Sequence, residues 1–269
     1  MAQTTDGKPQ SELLMTKTFL NRTFLLLSLL APVSLNATEP AAAPEPPAWI
    51  KPVFDRGLTK LEFYDPVTKP QKFPGWTNYK FELNHRFTYE YDFRETTKKE
   101  SSKKRIVVTI VPTFTMVELP VRHQILLPER YDTPRVWDAP LAQHELEHVA
   151  ISAHHRVALL AKHLVKQIQK IERTIDKPSQ ITDDWVKKLI DELITPRREA
   201  LDALLTSNNR QLDKLTGHGA RPLPDRDAFF SQMYLKENLD EMKFPFLPDV
   251  LDLLKERRYQ EALWESPPP

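Results

Sequence analysis

The chain has no cysteine in 269 residues, which excludes disulfides, thiolate metal ligands, a cysteine nucleophile and a lipidated cysteine. Any metal must be held by His, Asp or Glu. Glycine is scarce too, at five residues against 24 prolines, and no G-x-G-x-x-G or G-x-x-x-x-G-K-[ST] run occurs, so phosphate-cradling loops are excluded. Charge of one sign is also missing: 38 Lys+Arg meet 37 Asp+Glu for a net charge of +1. Neither a nucleic acid nor an anionic membrane meets a strong attracting field. What is present, 40% hydrophobic and 28% charged residues, suffices for the core of one domain.

The first hydrophobic run, residues 24–35, follows Lys17 and Arg22, is interrupted by Pro32 and precedes Asn36-Ala37-Thr38. It is too short to span a bilayer comfortably. The order of basic, apolar and small residues reads as a Sec-type signal peptide, residues 1–37, cut after Ala37, with an uncleaved anchor as the alternative. The polar stretch before Met15 makes that residue an alternative start. Residues 38–52 hold Pro40, Pro44, Pro46, Pro47 and Pro52 and read as an extended spacer; the tail 266–269 is similar. Export without cysteines fits a bacterial periplasm or exterior, with no stable membrane insertion after cleavage.

Residues 79–93 alternate apolar or aromatic with polar side chains, the period of half-buried strands, with two strands expected there. A basic patch over 98–105 reads as a solvated hairpin loop before the β-branched run 106–112. Another extended segment spans 115–127, closed by Pro128, so a mainly antiparallel sheet of about four strands is expected. After Pro140 the apolar residues Leu141, Val149, Val157, Leu160, Leu164, Ile168 and Ile171 recur at helical spacing with no Gly or Pro before Pro178. This predicts one long helix, with Asp138 as N-cap. Helical patterns resume over 181–194 and from Pro196 to about Leu215, an expected antiparallel pair. Residues 221–269 carry short apolar clusters expected to pack back on the core.

On the long helix lies His144-Glu145-Leu146-Glu147-His148, a complete H-E-x-x-H. At ~100° per residue the two imidazoles lie ~40° apart and one turn apart in height, so both reach one cation. Glu145 projects to the flank of that pair, placed to take a proton from a metal-activated water. The competing reading is a solvated face rich in His and Glu, since Glu147, His154, His155 and His163 lie nearby. His154 has the spacing of an extended H-E-x-x-H-x-x-G-x-x-H site, but Ile151 replaces the glycine that would turn the chain. An unbroken helix carries His154 ~240° round from His148, and it is rejected as a ligand. His155 returns to the right face but ~10 Å along the axis, too far for one ion. Gly217-His218-Gly219 would hold His218 on a sharp corner at a helix end; a plain C-cap with an incidental His is the alternative.

Trp137 ahead of H-E-x-x-H, together with Asp213-Lys214-Leu215-Thr216-Gly217-His218-Gly219 downstream, resembles the bacterial family of predicted secreted zinc-dependent proteases. The resemblance runs from about Phe87 to Gly219. Leu212 stands where that family usually has Tyr, which weakens any role for a hydroxyl there, and its common cysteines are absent. The resemblance implies an α+β, zincin-like fold: a mainly antiparallel sheet, then a long active-site helix and a helical C-terminal half. It also implies Zn²⁺ as cofactor, with His144 and His148 as ligands, His218 as candidate third ligand or carbonyl electrophile, and Glu145 as general base. Asp213 is either an outer-sphere orienting group or a solvated carboxylate. The expected organisation is a signal peptide (1–37), a spacer (38–52), a metallopeptidase domain (53–220) and a helical extension (221–269).

The expected activity is an exported zinc-dependent peptidase acting on a protein or peptide. A substrate strand would pair with the sheet edge, for which residues 121–127 are the candidate unless they form an interior strand. The alternatives are a non-catalytic envelope protein on the same scaffold, and hydrolysis of a non-peptide amide.

Overall fold

The structure, a computed structural model, describes residues 44–71, 73–97 and 104–262. The signal peptide, residues 38–43 of the spacer, the 98–103 part of the basic patch and the tail lie outside the described residues. The elements run α1 (Lys51–Asp55), β1 (Thr59–Tyr64), β2 (Trp76–Phe81), β3 (Asn84–Thr97), β4 (Lys104–Glu118), β5 (Val121–Pro128), α2 (Pro140–Ala153), α3 (His155–Lys166), β6 (Ile171–Ile175), α4 (Asp183–Thr216), α5 (Arg226–Gln232), α6 (Lys236–Glu241), α7 (Leu247–Lys255) and α8 (Arg257–Gln260). The class is α+β.

The described residues form two three-stranded sheets rather than one. In the first, β5 is central, parallel to β1 and antiparallel to β2. Residues 121–127 are therefore interior, and β2 is the edge nearer the site. The second sheet is antiparallel, ordered β3-β4-β6. Each sheet builds its own core. Ile125 and Leu127 of the first pack with Leu146, Ile151, Leu160, Leu201, Leu205 and Leu212 from α2, α3 and the second half of α4. Ile106, Val108 and Ile110 of the second pack with Ile171, Ile175, Val186, Ile190 and Ile194.

The expected long helix over 140–178 is broken. His154 takes an extended conformation (φ −59°, ψ 134°) between α2 and α3, and its Nδ1 accepts the Arg156 N–H at 3.1 Å. Further on, residues 171–175 form β6 on β4. Ile171 and Ile175 sit four apart, a spacing that shares one face in a strand as well as in a helix. The opposite departure occurs at Pro196, which lies inside the 34-residue α4 instead of starting a second helix. Its missing N–H costs the helix ~3 kcal/mol, but each half is anchored in a different core, so the chain continues. Asp138 is not the cap of α2; Ala139 precedes Pro140 without a side-chain cap, and Asp138 pairs with Arg135 at 2.7 Å.

The end of the expected spacer folds onto the core. Ile50 is fully buried, and Trp137, itself buried, donates from Nε1 to Pro44 O at 3.2 Å and meets the Phe54 ring edge-on. The 221–262 segment packs on the same core through Phe230, Tyr234, Leu239, Val250 and Tyr259.

Candidate metal centre

The site forms where α2 crosses the last three turns of α4. His144 and His148 lie one turn apart on α2, as the motif spacing requires. Opposite them, α4 presents Asn209, Asp213 and Thr216, a polar stripe at helical spacing between buried Leu205, Leu212 and Leu204.

Three atoms converge. His144 Nε2 and His148 Nε2 are 3.1 Å apart, and Asp213 Oδ1 lies 3.2 Å from each. Metal–donor bonds of ~2.0–2.1 Å in a tetrahedral set imply donor separations of ~3.3 Å, so these three residues fit a metal ion. The outer partners decide what the three atoms present to one another. Asn209 Nδ2 donates to Leu205 O at 2.8 Å, which turns its Oδ1 toward His148 Nδ1 at 2.6 Å. His148 therefore carries its proton on Nδ1. The one hydroxyl proton of Thr216 goes to Leu212 O at 2.9 Å, so its Oγ1 accepts from His144 Nδ1 at 3.2 Å. With both Nδ1 atoms protonated, two Nε2 lone pairs and a carboxylate oxygen face each other. Such a set holds a cation, either a metal ion or a proton.

No family model, curated protein or solved structure matches this chain. Its chemistry is read from the geometry alone.

The electrostatics follow from burial and these contacts. Burial lowers the His144 pKa. For His148 burial works the same way, but the Asp213 hydrogen bond and the Glu145 charge outweigh it and the net shift is upward. Burial would raise the Asp213 carboxyl, yet the two imidazoles facing it, which donate to it and carry positive charge once Nε2 takes up a proton, hold it well below the usual carboxylate range.

Glu145 is buried beside the histidines, and burial pushes its carboxyl up to about 7. Its Oε2 accepts from Thr77 Oγ1 on β2 at 2.8 Å. Gly75, just before β2, passes so close that a Cβ there would lie 3.1 Å from Glu145 Oε1.

His218 is not one of the three converging residues. Gly217 ends α4 in the left-handed region (φ 61°) as its spacing suggested, and His218 (φ 57°) and Gly219 (φ 77°) follow in the same region. The turn places His218 at the rim, 55% exposed, with Nδ1 3.3 Å from Asp213 Oδ1. It also seats Gly219 on the His144 ring, where a Cβ would lie 3.0 Å from Cδ2. His154 and His155 lie at the joint between α2 and α3, outside the group; His154 Nε2 faces Phe230 O at 3.3 Å. Glu147 turns away to Arg226 at 3.4 Å.

Asp213 thus joins the group itself, and Asn209, Thr216, Thr77 and Gly75 hold places at the site that the sequence motifs do not assign to them. The α4 residues had a signal: Thr206, Asn209, Asp213 and Thr216 repeat at three, four and three residues, a polar stripe on a face that otherwise packs apolar side chains. Thr77 and Gly75 had none, because their role depends on which strand lies beside α2.

Proposed function

We propose that this chain is an exported, zinc-dependent peptidase of zincin-like architecture. The observation that carries the reading is the convergence of His144, His148 and Asp213 with both imidazole tautomers fixed, beside a buried glutamate that takes no part in the group. Two imidazoles and a carboxylate suit zinc, and bound zinc supplies Lewis acidity that lowers the pKa of a water and polarises a carbonyl. Asp213 is the third ligand in this reading. His218, the other candidate, stands next to that same carboxylate oxygen at the rim, where its ring can donate to a developing oxyanion.

Glu145 is the general base. A carboxylate with a pKa of about 7 accepts a proton near neutrality and releases it again, which matches the requirement for proton transfer in both directions. Thr77 holds one oxygen and leaves the other for the attacking water. In the balanced step the water oxygen bonds to the carbonyl carbon, the C–N bond breaks, and the water's proton passes through Glu145 to the leaving amine. The edge of β2 beside Glu145 offers backbone groups to align the substrate.

The test is zinc content and peptide hydrolysis of the full chain and its Glu145→Gln variant. One bound zinc in both, with hydrolysis lower in the variant by ~10²–10⁴-fold, is the expected result. Equal hydrolysis in the two proteins, or no zinc uptake, would refute the reading; zinc without hydrolysis would make this a binding scaffold.

A further inference from the structure

The metal centre lies at one end of a cleft of ≈ 290 Å³. One wall runs from Phe73 through β2 to Tyr79, and the other is the end of α4 with its terminal turn. Phe73 and His218, from opposite walls, stack with ring centroids 5.0 Å apart and planes 22° apart. The stack joins the walls next to Asp213. It is held on both sides: Tyr64 OH donates to Pro74 O at 3.0 Å beside Phe73, and His218 Nδ1 sits 3.3 Å from Asp213 Oδ1.

In the other direction along α4 the lining residues are Arg210, Asn209 and Thr206. Arg210 is exposed and is the one guanidinium or ammonium group among the described residues that line the cleft. Three residues of helix, ~4.5 Å of rise, separate it from Asp213. An extended chain advances ~3.3–3.6 Å per residue. A carboxylate one residue beyond a carbonyl at the metal centre therefore falls within reach of the Arg210 side chain. The volume sits at the small end of ligand sites, which run ~300–1,000 Å³.

We propose that this site is built for a dipeptide-sized substrate with a free C-terminal carboxylate. Arg210 takes that carboxylate, and the Phe73–His218 stack excludes a chain that continues past the residue on the amino side. The proposal rests on the peptidase reading and deepens it by naming the substrate class.

The experiment is calorimetric titration of the zinc-loaded, full-length Glu145→Gln protein with three probes: Ala-Phe, its C-terminal amide, and a hexapeptide capped at both ends. Ala-Phe should bind ~10-fold more tightly than its amide, the worth of one hydrogen-bonded charge contact. Adding Arg210→Ala should bring the two to equal affinity while leaving that of the amide unchanged. The capped hexapeptide should bind only when Phe73→Ala opens the end of the cleft. Equal binding of acid and amide by the Arg210 protein, or binding of the capped hexapeptide with Phe73 in place, overturns the proposal. Internal cleavage of that hexapeptide by the zinc-loaded protein retaining Glu145 would do so too, while leaving the peptidase reading intact. Failure to bind any of the three probes would count against both.

Discussion

Two polar clusters are buried along the α2–α3 stretch, one on α2 and one in the first turn of α3, and they are built on opposite terms. In the first turn of α3 Arg156, 2% exposed, is clamped by carbonyls: Nε donates to Tyr259 O at 3.1 Å, Nη1 to Ser231 O and Met233 O at 2.6 and 2.8 Å, and Nη2 to Gln260 O at 2.7 Å. Donors meet acceptors and nothing is left to bind. On α2, His144 and His148 turn acceptors toward each other and toward Asp213, and an added cation would satisfy all three. A buried cluster that is complete holds the fold together; one that lacks its counter-charge is where chemistry is to be sought.

The sharpest way to test that contrast is to break the complete cluster. Arg156→Met removes donors from four carbonyls that join α3 to the 231–260 segment. The expected loss is about 3–5 kcal/mol, read as a lower urea midpoint and as early proteolysis of the C-terminal segment. His148→Ala, by contrast, should abolish zinc binding and leave the metal-free protein close to its original stability. If the two variants lost similar stability without zinc, the distinction between the clusters would fail.

Between the clusters lies a third contact, His123 on β5, whose Nε2 meets Ser152 Oγ at 2.7 Å and whose Nδ1 meets Thr59 Oγ1 at 3.2 Å. Burial, aided by the Arg56 charge, pushes its pKa down to about 3. The folded chain thus holds this ring neutral where the unfolded chain binds a proton, from about 6.5 down to about 3. Its contribution is complete above that window and is lost as pH falls through it. Glu145, raised to about 7, works in the opposite sense, so the quantity to measure is the stability difference between the protein and its His123→Gln variant. That difference should shrink by about 2 kcal/mol between pH 6.5 and 5. A difference constant with pH would mean that His123 takes up its proton in the fold as readily as in the unfolded chain.

How far each cluster could be read from the sequence follows the range of its contacts. The histidine pair and Glu145 are local, set by helical spacing within five residues, and the sequence places them. The Gly217-His218-Gly219 corner is local as well. The Arg156 clamp draws on carbonyls 75 to 104 residues away, and carbonyls carry no sequence signal. The break at His154 that serves the clamp was invisible for the same reason, since no Gly or Pro marks it. Pro196 erred the other way: a strong local stop signal was outweighed by two cores that no local window contains. The choice of β2 over β5 as the edge beside Glu145 likewise depends on how strands 40 to 64 residues apart pair.

The open cluster depends on its outer partners as the clamp does not. Asn209→Ala removes the acceptor that keeps the His148 proton on Nδ1, which frees the ring to rotate and lets the proton occupy the nitrogen that faces the metal. Zinc affinity should fall ~10–100-fold, measured by competition with a chromophoric chelator, with little change in the unfolding midpoint of the metal-free protein. Unchanged affinity would show that His148 is oriented by packing alone.

The smallest effect separates backbone strain from positioning. Gly57 and Gly219 both hold left-handed backbone, at φ 68° and 77°, but a Cβ at Gly57 meets nothing within 4 Å whereas one at Gly219 presses on His144. Alanine at either position should cost about 1 kcal/mol for the conformation. Only Gly219→Ala should also weaken zinc binding, because the imidazole must shift by some tenths of an ångström to admit the methyl group. Equal zinc affinity in the two variants would mean that the turn after α4 caps the helix without seating His144, and that the convergence of donors is set by α2, Thr216 and Asn209 alone.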